Sequence, residues 1–177
     1  MDKKKKLIIF LAIALSSFAV DIGSKLWAQK AVAQKYMNPD SQSSFSINFN
    51  LAFNKGSAFS FLSGVSGSRW ILTVINFFAL GFIYYLYRRK ESEDRIFLIG
   101  LAFITGGALG NMIDRIIFGH VTDFIQFWGF KSVKMMWPWP TFNVADIVLV
   151  IGVGLMLIYS FRADAAEKKD KKKTVKA

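Results

Sequence analysis

The stretch that decides the fold runs from Gly106 to Asp146 and reads GGALGNMIDRIIFGHVTDFIQFWGFKSVKMMWPWPTFNVAD. Its polar and charged side chains include Asn111, Asp114, Arg115, Asp123, Asn143 and Asp146, and long apolar runs come before and after them. Apolar runs of this length are typical of membrane-spanning helices, and an ionisable group placed at such depth is costly in hydrocarbon. The stretch therefore predicts a functional site within a membrane protein.

The composition indicates an integral membrane protein with a single domain over residues 1–177. Hydrophobic residues make up 53% of the 177 residues, and aromatic residues 16%. The net charge of +11 lies outside the apolar runs, so it reflects membrane topology and predicts no nucleic-acid partner. There is no cysteine, and His120 is the one histidine, which excludes disulfides, thiol nucleophiles and multi-histidine zinc sites. We expect no metal and no cofactor.

Four apolar runs predict four transmembrane helices, at residues 7–27, 70–87, 96–118 and 144–161. The fold class is thus a mainly α-helical integral membrane protein. The first run follows Lys3–Lys6 and has a small-x-small pattern at Ser17–Ala19, both of which are features of a cleavable secretory signal. Because three more runs follow, we interpret it as a retained span.

The distribution of positive charge predicts the orientation. With four spans, the basic segments 3–6, 88–95 and 162–177 fall on one side, which the positive-inside rule makes cytoplasmic. Both termini are then cytoplasmic, and the loops 28–69 and 119–142 face outward. The Lys-rich tail EKKDKKKTVK, residues 167–176, is predicted to be disordered.

The first outward loop contains a predicted strand. Residues 44–52 (SFSINFNLA) partly alternate polar with apolar side chains, which is the period of a β-strand. We expect a small extramembrane sheet lying on the bilayer surface. Asn54 and the turn-forming Gly56 are expected to shape a loop that folds back over the site.

Counting from the basic ends places several polar residues at one depth. At a rise of about 1.5 Å per residue, Asp21 lies about 22 Å above Lys6, and Asp146 about 24 Å above Arg162. Asn111 and Asp114 lie roughly 24 and 28 Å above Arg95. The hydrocarbon core is about 30 Å thick, so these residues share a level near its outer edge.

Several of these residues have a structural interpretation beside the functional one. Gly106-x-x-x-Gly110 favours close helix packing. Asp21 and Lys25 are spaced to pair on one helix face. Asp114 either neutralises Arg115 or another neighbour, or serves the site directly, and the spacing leaves both open.

Asp123 and Asp146 are lone carboxylates among apolar and aromatic residues. Two carboxylates that face each other share one proton and so provide one acid and one base, enough to activate water and protonate a leaving amine. The alternative is that Asp146 or Asn143 caps the fourth helix and that Asp123 caps a turn. Spacing alone only slightly favours the catalytic interpretation.

Five motifs together resemble lipoprotein signal peptidase, the type II signal peptidase of bacteria. They are DIGSK (21–25), NKGSAF (54–59), GGALGNMIDR (106–115), VTDF (121–124) and FNVAD (142–146), in the family's order and across almost the whole chain. One departure is Ser24, where the family commonly has Thr.

The resemblance implies an aspartyl endopeptidase of the bacterial cytoplasmic membrane, with an extramembrane β-cradle and a site near the outer leaflet. It implies cleavage of diacylglyceryl prolipoproteins on the N-terminal side of the lipid-bearing cysteine, by Asp123 and Asp146. The residues implied to hold the substrate or the aspartates are Asp21, Lys25, Asn54, Gly56, Gly107, Asn111, Arg115, Asn143 and Ala145, with Asp114 as a further candidate. The implied partners are prolipoprotein, membrane lipid and globomycin-like cyclic peptides, and we expect a monomer.

Two other functions fit intramembrane carboxylates. A proton-coupled transporter would use them as relays, although the cytoplasmic halves of the spans are apolar. A non-catalytic lipoprotein-binding scaffold would need no dyad. A Ser–His protease is disfavoured, because His120 has no Gly-x-Ser-x-Gly partner.

Overall fold

The computed structural model of the protein describes residues 2–32, 46–56, 67–130, 132–133 and 137–174, and it has the predicted mainly helical membrane architecture. The four helices are α1 (Lys3–Ala31), α2 (Ser68–Arg88), α3 (Arg95–Phe118) and α4 (Val144–Thr174), and the two strands are β1 (Ser46–Asn54) and β2 (Val121–Trp128). A short 3-10 helix, Lys90–Glu93, links α2 to α3. All four helices are long and apolar enough to cross a membrane, which confirms the four predicted spans.

Local signals in the sequence fix where α3 begins and ends. Asp94 precedes the helix, and its side chain accepts hydrogen bonds from the first-turn amides of Ile96 and Phe97. Gly119 follows the helix with a φ of 77°, in the left-handed region that favours glycine. The chain therefore leaves the span sharply and enters β2 two residues later.

The third helix is the centre of the bundle, and the other three pack around it. In the apolar part of α3, 56% of the residues are buried within the protein, against 11–17% in the other three spans. Glycines make this close packing possible, since a Cβ on Gly106 would lie 2.7 Å from the Ala14 carbonyl of α1. A Cβ on Gly110 would overlap the Asp21 carboxylate, so the packing role predicted for both glycines is confirmed.

A two-stranded antiparallel sheet stands at the end of this bundle away from the basic segments 3–6 and 88–95. Its register runs from Ser46 opposite Trp128 to Asn54 opposite Val121, with an irregularity between Phe49 and Ala52. The predicted strand in the first outward loop is thus confirmed, ending two residues later than expected. The second strand was not predicted, because residues 119–142 were interpreted as loop.

The rest of the second outward loop returns to β2 before the fourth helix begins. Phe142 and Ile125 exchange both backbone hydrogen bonds, at 2.9 and 3.0 Å. This bridge places Asn143 and the start of α4 beside the middle of β2. The fold thereby carries Asn143 to Asp123 across 20 residues of chain.

The prediction of a disordered tail is wrong over most of its length. The fourth helix continues past the apolar span to Thr174. Residues 163–171 are rich in Ala, Glu and Lys, which are strong helix formers. Glu167 and Lys171 add an ion pair at helical spacing. The charged segment after the apolar span therefore continues the helix rather than ending it.

Candidate active site

The fold brings all twelve predicted site residues to the end of the bundle that carries the sheet. They come from five elements: Asp21 and Lys25 on α1, Asn54 and Gly56 at the end of β1, Gly107, Asn111, Asp114 and Arg115 on α3, Asp123 on β2, and Asn143, Ala145 and Asp146 at the start of α4. Contacts between residues of α1, α3 and α4 confirm the shared depth that the helical rise predicted.

Asp123 lies on β2, so the turn-capping alternative for it is wrong. Its carboxylate is 3% exposed and accepts one hydrogen bond on each oxygen. Asn143 Nδ2 donates to Oδ1 at 2.7 Å, and Asn54 Nδ2 donates to Oδ2 at 3.2 Å. The amide of Gly56 donates to Asn54 Oδ1 at 3.0 Å, which fixes the orientation of that side chain. Asn54 and Gly56 therefore act together on Asp123.

Asp146 caps the fourth helix and also faces the site. Asn143, the residue before the helix, accepts a hydrogen bond from the Asp146 amide at 3.0 Å. Asp146 Oδ2 accepts from the Asn143 amide at 3.1 Å, which completes a reciprocal capping box. Its other oxygen, Oδ1, accepts from Asn111 Nδ2 at 2.9 Å. Helix capping and a position in the site are thus compatible for Asp146, because the cap uses Oδ2 and the contact with Asn111 uses Oδ1.

Two asparagine amides connect the carboxylates. Asn143 Nδ2 donates both to Asp123 and, at 3.2 Å, to Asn111 Oδ1. Asn111 in turn donates to Asp146 and accepts from Lys25 Nζ at 2.9 Å. The chain of bonds therefore runs from Lys25 through both amides to both aspartates, and it holds the two carboxyl groups in one arrangement.

A buried ion cluster supports this network from behind. Lys25 Nζ lies 2.8 Å from Asp21 Oδ2, which confirms the pairing predicted from their spacing. It also lies 3.4 Å from Asp114 Oδ2, so Asp114 neutralises Lys25 and not Arg115. The remaining contacts tie the cluster to other elements: the Ala145 amide donates to Asp21 at 2.8 Å and the Thr122 amide to Asp114 at 2.8 Å.

The environment of Asp123 favours its protonated form. Burial, reinforced by the nearby charge of Asp146, raises the pKa of Asp123 to about 7, although hydrogen bonds from Asn54 and Asn143 act in the opposite direction. A carboxyl group with this pKa is about half protonated at pH 7. The arrangement can therefore provide one acid and one base to a molecule between them.

Both aspartates line a cavity of about 660 Å³. Arg115 lies on its wall, and one guanidinium nitrogen donates to the backbone carbonyl of Asn111 at 3.1 Å. The opposite walls are formed by the 138–142 segment, by Gln126 of β2, and by Leu149 and Val150 of α4. The cavity therefore joins a polar floor to an apolar side wall on a membrane helix.

Sequence reasoning missed Thr122, which helps to hold the site together. Thr122 is fully buried. Its backbone amide donates to the Asp114 carboxylate, and its hydroxyl accepts from Gln29 Nε2 at 2.9 Å. Its role depends on β2, and the β-branched and aromatic content of VTDFIQFW between Gly119 and Gly129 is a strand signal. Regular alternation is missing there because four consecutive residues, 121–124, are buried.

Comparison with known proteins gives a consistent result. Residues 13–162 match the family described as Signal peptidase (SPase) II. A lipoprotein signal peptidase of Aeromonas hydrophila is 34% identical over 171 residues, which is 96% of this chain and 97% of that protein. One from Paraburkholderia phytofirmans is 38% identical over 154 residues, covering 86% and 84%. A solved structure described as a bacterial membrane enzyme covers 90% of both chains, with a TM-score of 0.72 and 26% identity.

Proposed function

Because the chain belongs to the signal peptidase II family, we propose that it removes the signal peptide from diacylglyceryl-modified prolipoproteins through an aspartyl mechanism. The bond cleaved is the one on the N-terminal side of the lipid-bearing cysteine. Family membership and four apolar helices make the chain a multi-pass membrane protease of bacteria that cleaves signal peptides. The names of its relatives support a prolipoprotein as the substrate.

The observation that carries the aspartyl mechanism is the linkage of Asp123 and Asp146 through Asn143. In the proposed reaction Asp123 carries the proton and Asp146 is ionised. Asp146 takes a proton from a water molecule, and the resulting hydroxide attacks the scissile carbonyl carbon. The tetrahedral intermediate collapses as the carbon–nitrogen bond breaks, and Asp123 donates its proton to the departing nitrogen. One water is consumed, and the products are a new carboxyl terminus and the free amine of the cysteine.

The contacts also divide the supporting residues between two tasks. Asn111 and Asn143 use their amide donors on the carboxyl groups, so their proposed role is to position the dyad rather than to hold the peptide. Arg115 lies on the cavity wall with a guanidinium that has five N–H donors. We assign it to the carbonyl groups of the extended signal peptide.

The position of the cavity supports a lipid-anchored substrate. Leu149 and Val150 line it from the membrane span of α4, and Val150 is 73% exposed on the surface of the protein. Diacylglyceryl chains can therefore remain in the bilayer beside α4 while the peptide enters the polar floor. In this arrangement the site faces the outer leaflet of the cytoplasmic membrane and both termini are cytoplasmic. A globomycin-like cyclic peptide would compete for the same cavity.

The test is cleavage of one prolipoprotein, in lipidated and unlipidated forms, by Asp123→Asn and Asp146→Asn. Asparagine keeps the size of the side chain and can accept the helix-capping bond, so the bundle should remain folded. We expect both variants to lose about three orders of magnitude in rate, the middle of the range for removing an acid or base. Asp164→Asn changes an exposed carboxylate on the α4 extension and serves as the matched control.

The same variants separate the alternatives. Near wild-type cleavage by either folded dyad variant would disprove the aspartyl assignment. A scaffold predicts that lipoprotein processing in cells survives both substitutions. A proton-coupled transporter predicts proton flux in proteoliposomes that the substitutions abolish, whereas the peptidase predicts none.

A further inference from the structure

A second cavity, lined by none of the residues that line the candidate active site, opens toward the basic end of the bundle. It has a volume of about 300 Å³ and opens between α1 and α2, with α3 as its floor. Its walls include Leu11 of α1 and Leu80 and Tyr84 of α2, and its floor includes Thr105 and Leu109 of α3. We call it the α1–α2 groove.

The groove has the length and polarity for one lipid chain. Thr105 and Leu109 lie about 15 and 21 Å along α3 from Arg95, and half of the hydrocarbon core is about 15 Å thick. The groove thus extends from the basic membrane surface to about 6 Å beyond the middle of the bilayer. The Thr105 hydroxyl donates to the Leu101 carbonyl within its own helix at 2.8 Å. The floor therefore presents an apolar surface to an aliphatic chain.

Two cations are held at the mouth of the groove by tyrosines that line it. Lys6 Nζ donates to the Tyr87 carbonyl at 2.7 Å and lies 4.4 Å from the centre of the Tyr87 ring. Arg88 donates one hydrogen bond to the Tyr84 hydroxyl at 3.0 Å. This bond uses one of the five N–H donors of an exposed guanidinium, a group whose fork matches phosphate oxygens. The mouth is therefore suited to a phosphate group.

The charge around the mouth has the same sign. Residues 2–6 and 88–95 contain eight Lys or Arg residues and four Asp or Glu residues. Glu91 is paired with Arg89 at 3.0 Å, and Asp94 caps α3 by accepting from the Ile96 amide at 2.8 Å. Asp2 likewise caps α1 by accepting from the Lys5 amide at 3.3 Å, so these three carboxylates are engaged locally, and the surplus of cations remains beside the groove.

We propose that the α1–α2 groove binds one anionic phospholipid of the cytoplasmic leaflet, with an acyl chain between the helices and the phosphate on Arg88 and Lys6. The cytoplasmic leaflet follows from the orientation that the positive charges predict, and anionic lipids attract basic residues at that surface. The proposal is independent of peptidase activity, because the groove shares no residue with the cavity that holds Asp123 and Asp146.

The test titrates the purified, delipidated full chain in detergent with dioleoyl phosphatidylglycerol or dioleoyl phosphatidylcholine, and counts bound lipid by native mass spectrometry. We expect one saturable phosphatidylglycerol, bound about tenfold or more tightly than phosphatidylcholine. Arg88→Gln should weaken phosphatidylglycerol about fivefold, the effect of one cation, and weaken phosphatidylcholine less, because the choline cation offsets the charge of its phosphate. Arg162→Gln removes an exposed cation at the end of the α4 span and should change neither lipid.

A second pair of variants tests whether the groove binds the acyl chain of the lipid. Leu80→Trp fills the groove and should weaken both lipids, whereas Phe77→Trp enlarges a residue that is 67% exposed on α2 and should weaken neither. Millimolar inorganic phosphate should fail to displace the lipid, since a bare anion lacks the acyl chain. Equal binding of the two lipids, or equal effects of Arg88→Gln and Arg162→Gln, would overturn the proposal. If Leu80→Trp fails to fold, the comparison of the two arginine variants decides alone.

Discussion

Replacing Lys25 with methionine should destabilise the protein strongly, because this lysine neutralises two buried carboxylates. Lys25 is 1% exposed, and its ammonium lies 2.8 Å from Asp21 and 3.4 Å from Asp114. Methionine fills a similar volume but leaves both carboxylates without their cation. Removing one partner of a buried ion pair costs about 3–5 kcal/mol in the free energy of unfolding. For a chain of this size, that corresponds to a fall in Tm of about 10 °C.

The measurement is unfolding by sodium dodecyl sulfate in mixed micelles, followed by near-ultraviolet circular dichroism. Lys171→Met is the matched control, since Lys171 and Glu167 form an ion pair at the same i, i+4 spacing on the exposed part of α4. Exposed pairs of this kind contribute little, so we expect no measurable change. The comparison isolates burial, because both pairs join a lysine to a carboxylate one helical turn away.

A compensating substitution separates loss of charge balance from loss of packing. Asp21→Asn removes one of the two carboxylates and can still accept the hydrogen bond from the Ala145 amide. In the Lys25→Met background it should recover about 0.5–3 kcal/mol, the usual coupling between neighbouring charges. Lys25→Met within about 1 kcal/mol of wild type, a mild value for a point substitution, would refute the reasoning.

Two further predictions concern pH and packing. Since the folded-state pKa of Asp123 is about 7, well above the ordinary value, the folded protein holds a proton that the unfolded chain releases between pH 4 and 7. The free energy of unfolding should therefore fall as pH rises through this window, and kcat/KM should fall above about pH 7. Asp123→Asn should remove this pH dependence of stability. A variant whose stability keeps the wild-type pH profile would contradict the assignment. Gly106→Ala should lower the free energy of unfolding by about 1–3 kcal/mol, because its Cβ would lie 2.7 Å from the Ala14 carbonyl. Gly81→Ala, where nothing lies within 4 Å, should be neutral or stabilising, and equal losses in a thermal unfolding assay would contradict the packing argument.

The spans and the level of the site were predictable from sequence because both depend on local periodic properties. Hydropathy defines an apolar run of membrane length, and a constant helical rise converts residue number into depth. Asp21 and Asn111 accordingly reach the start of α4, where they contact Ala145 and Asp146. Spacing along one helix also gave the correct pairing of Asp21 with Lys25.

The features that could not be predicted from sequence depend on contacts between distant parts of the chain. Asp114 binds Lys25 across 89 residues, and nothing local distinguishes that partner from Arg115. The second strand is buried by elements on both sides, which removes the alternation that would reveal it. The assignment of Asn143 donors to a carboxylate also requires the bridge between Phe142 and Ile125. The motifs therefore indicate which residues meet, and the tertiary structure determines which atoms they share.

The reciprocal cap between Asn143 and Asp146 has a consequence for resistance to inhibitors. Asp146, one of the two carboxylates proposed to be catalytic, also starts α4 and is bonded to α3 through Asn111. A substitution there would remove a proposed catalytic group, and a side chain that cannot accept the capping bond would also weaken the start of the helix. Escape substitutions should therefore arise on the cavity walls, at positions such as Gln126 and Thr141, and an inhibitor that avoids those walls would leave the cell few viable variants.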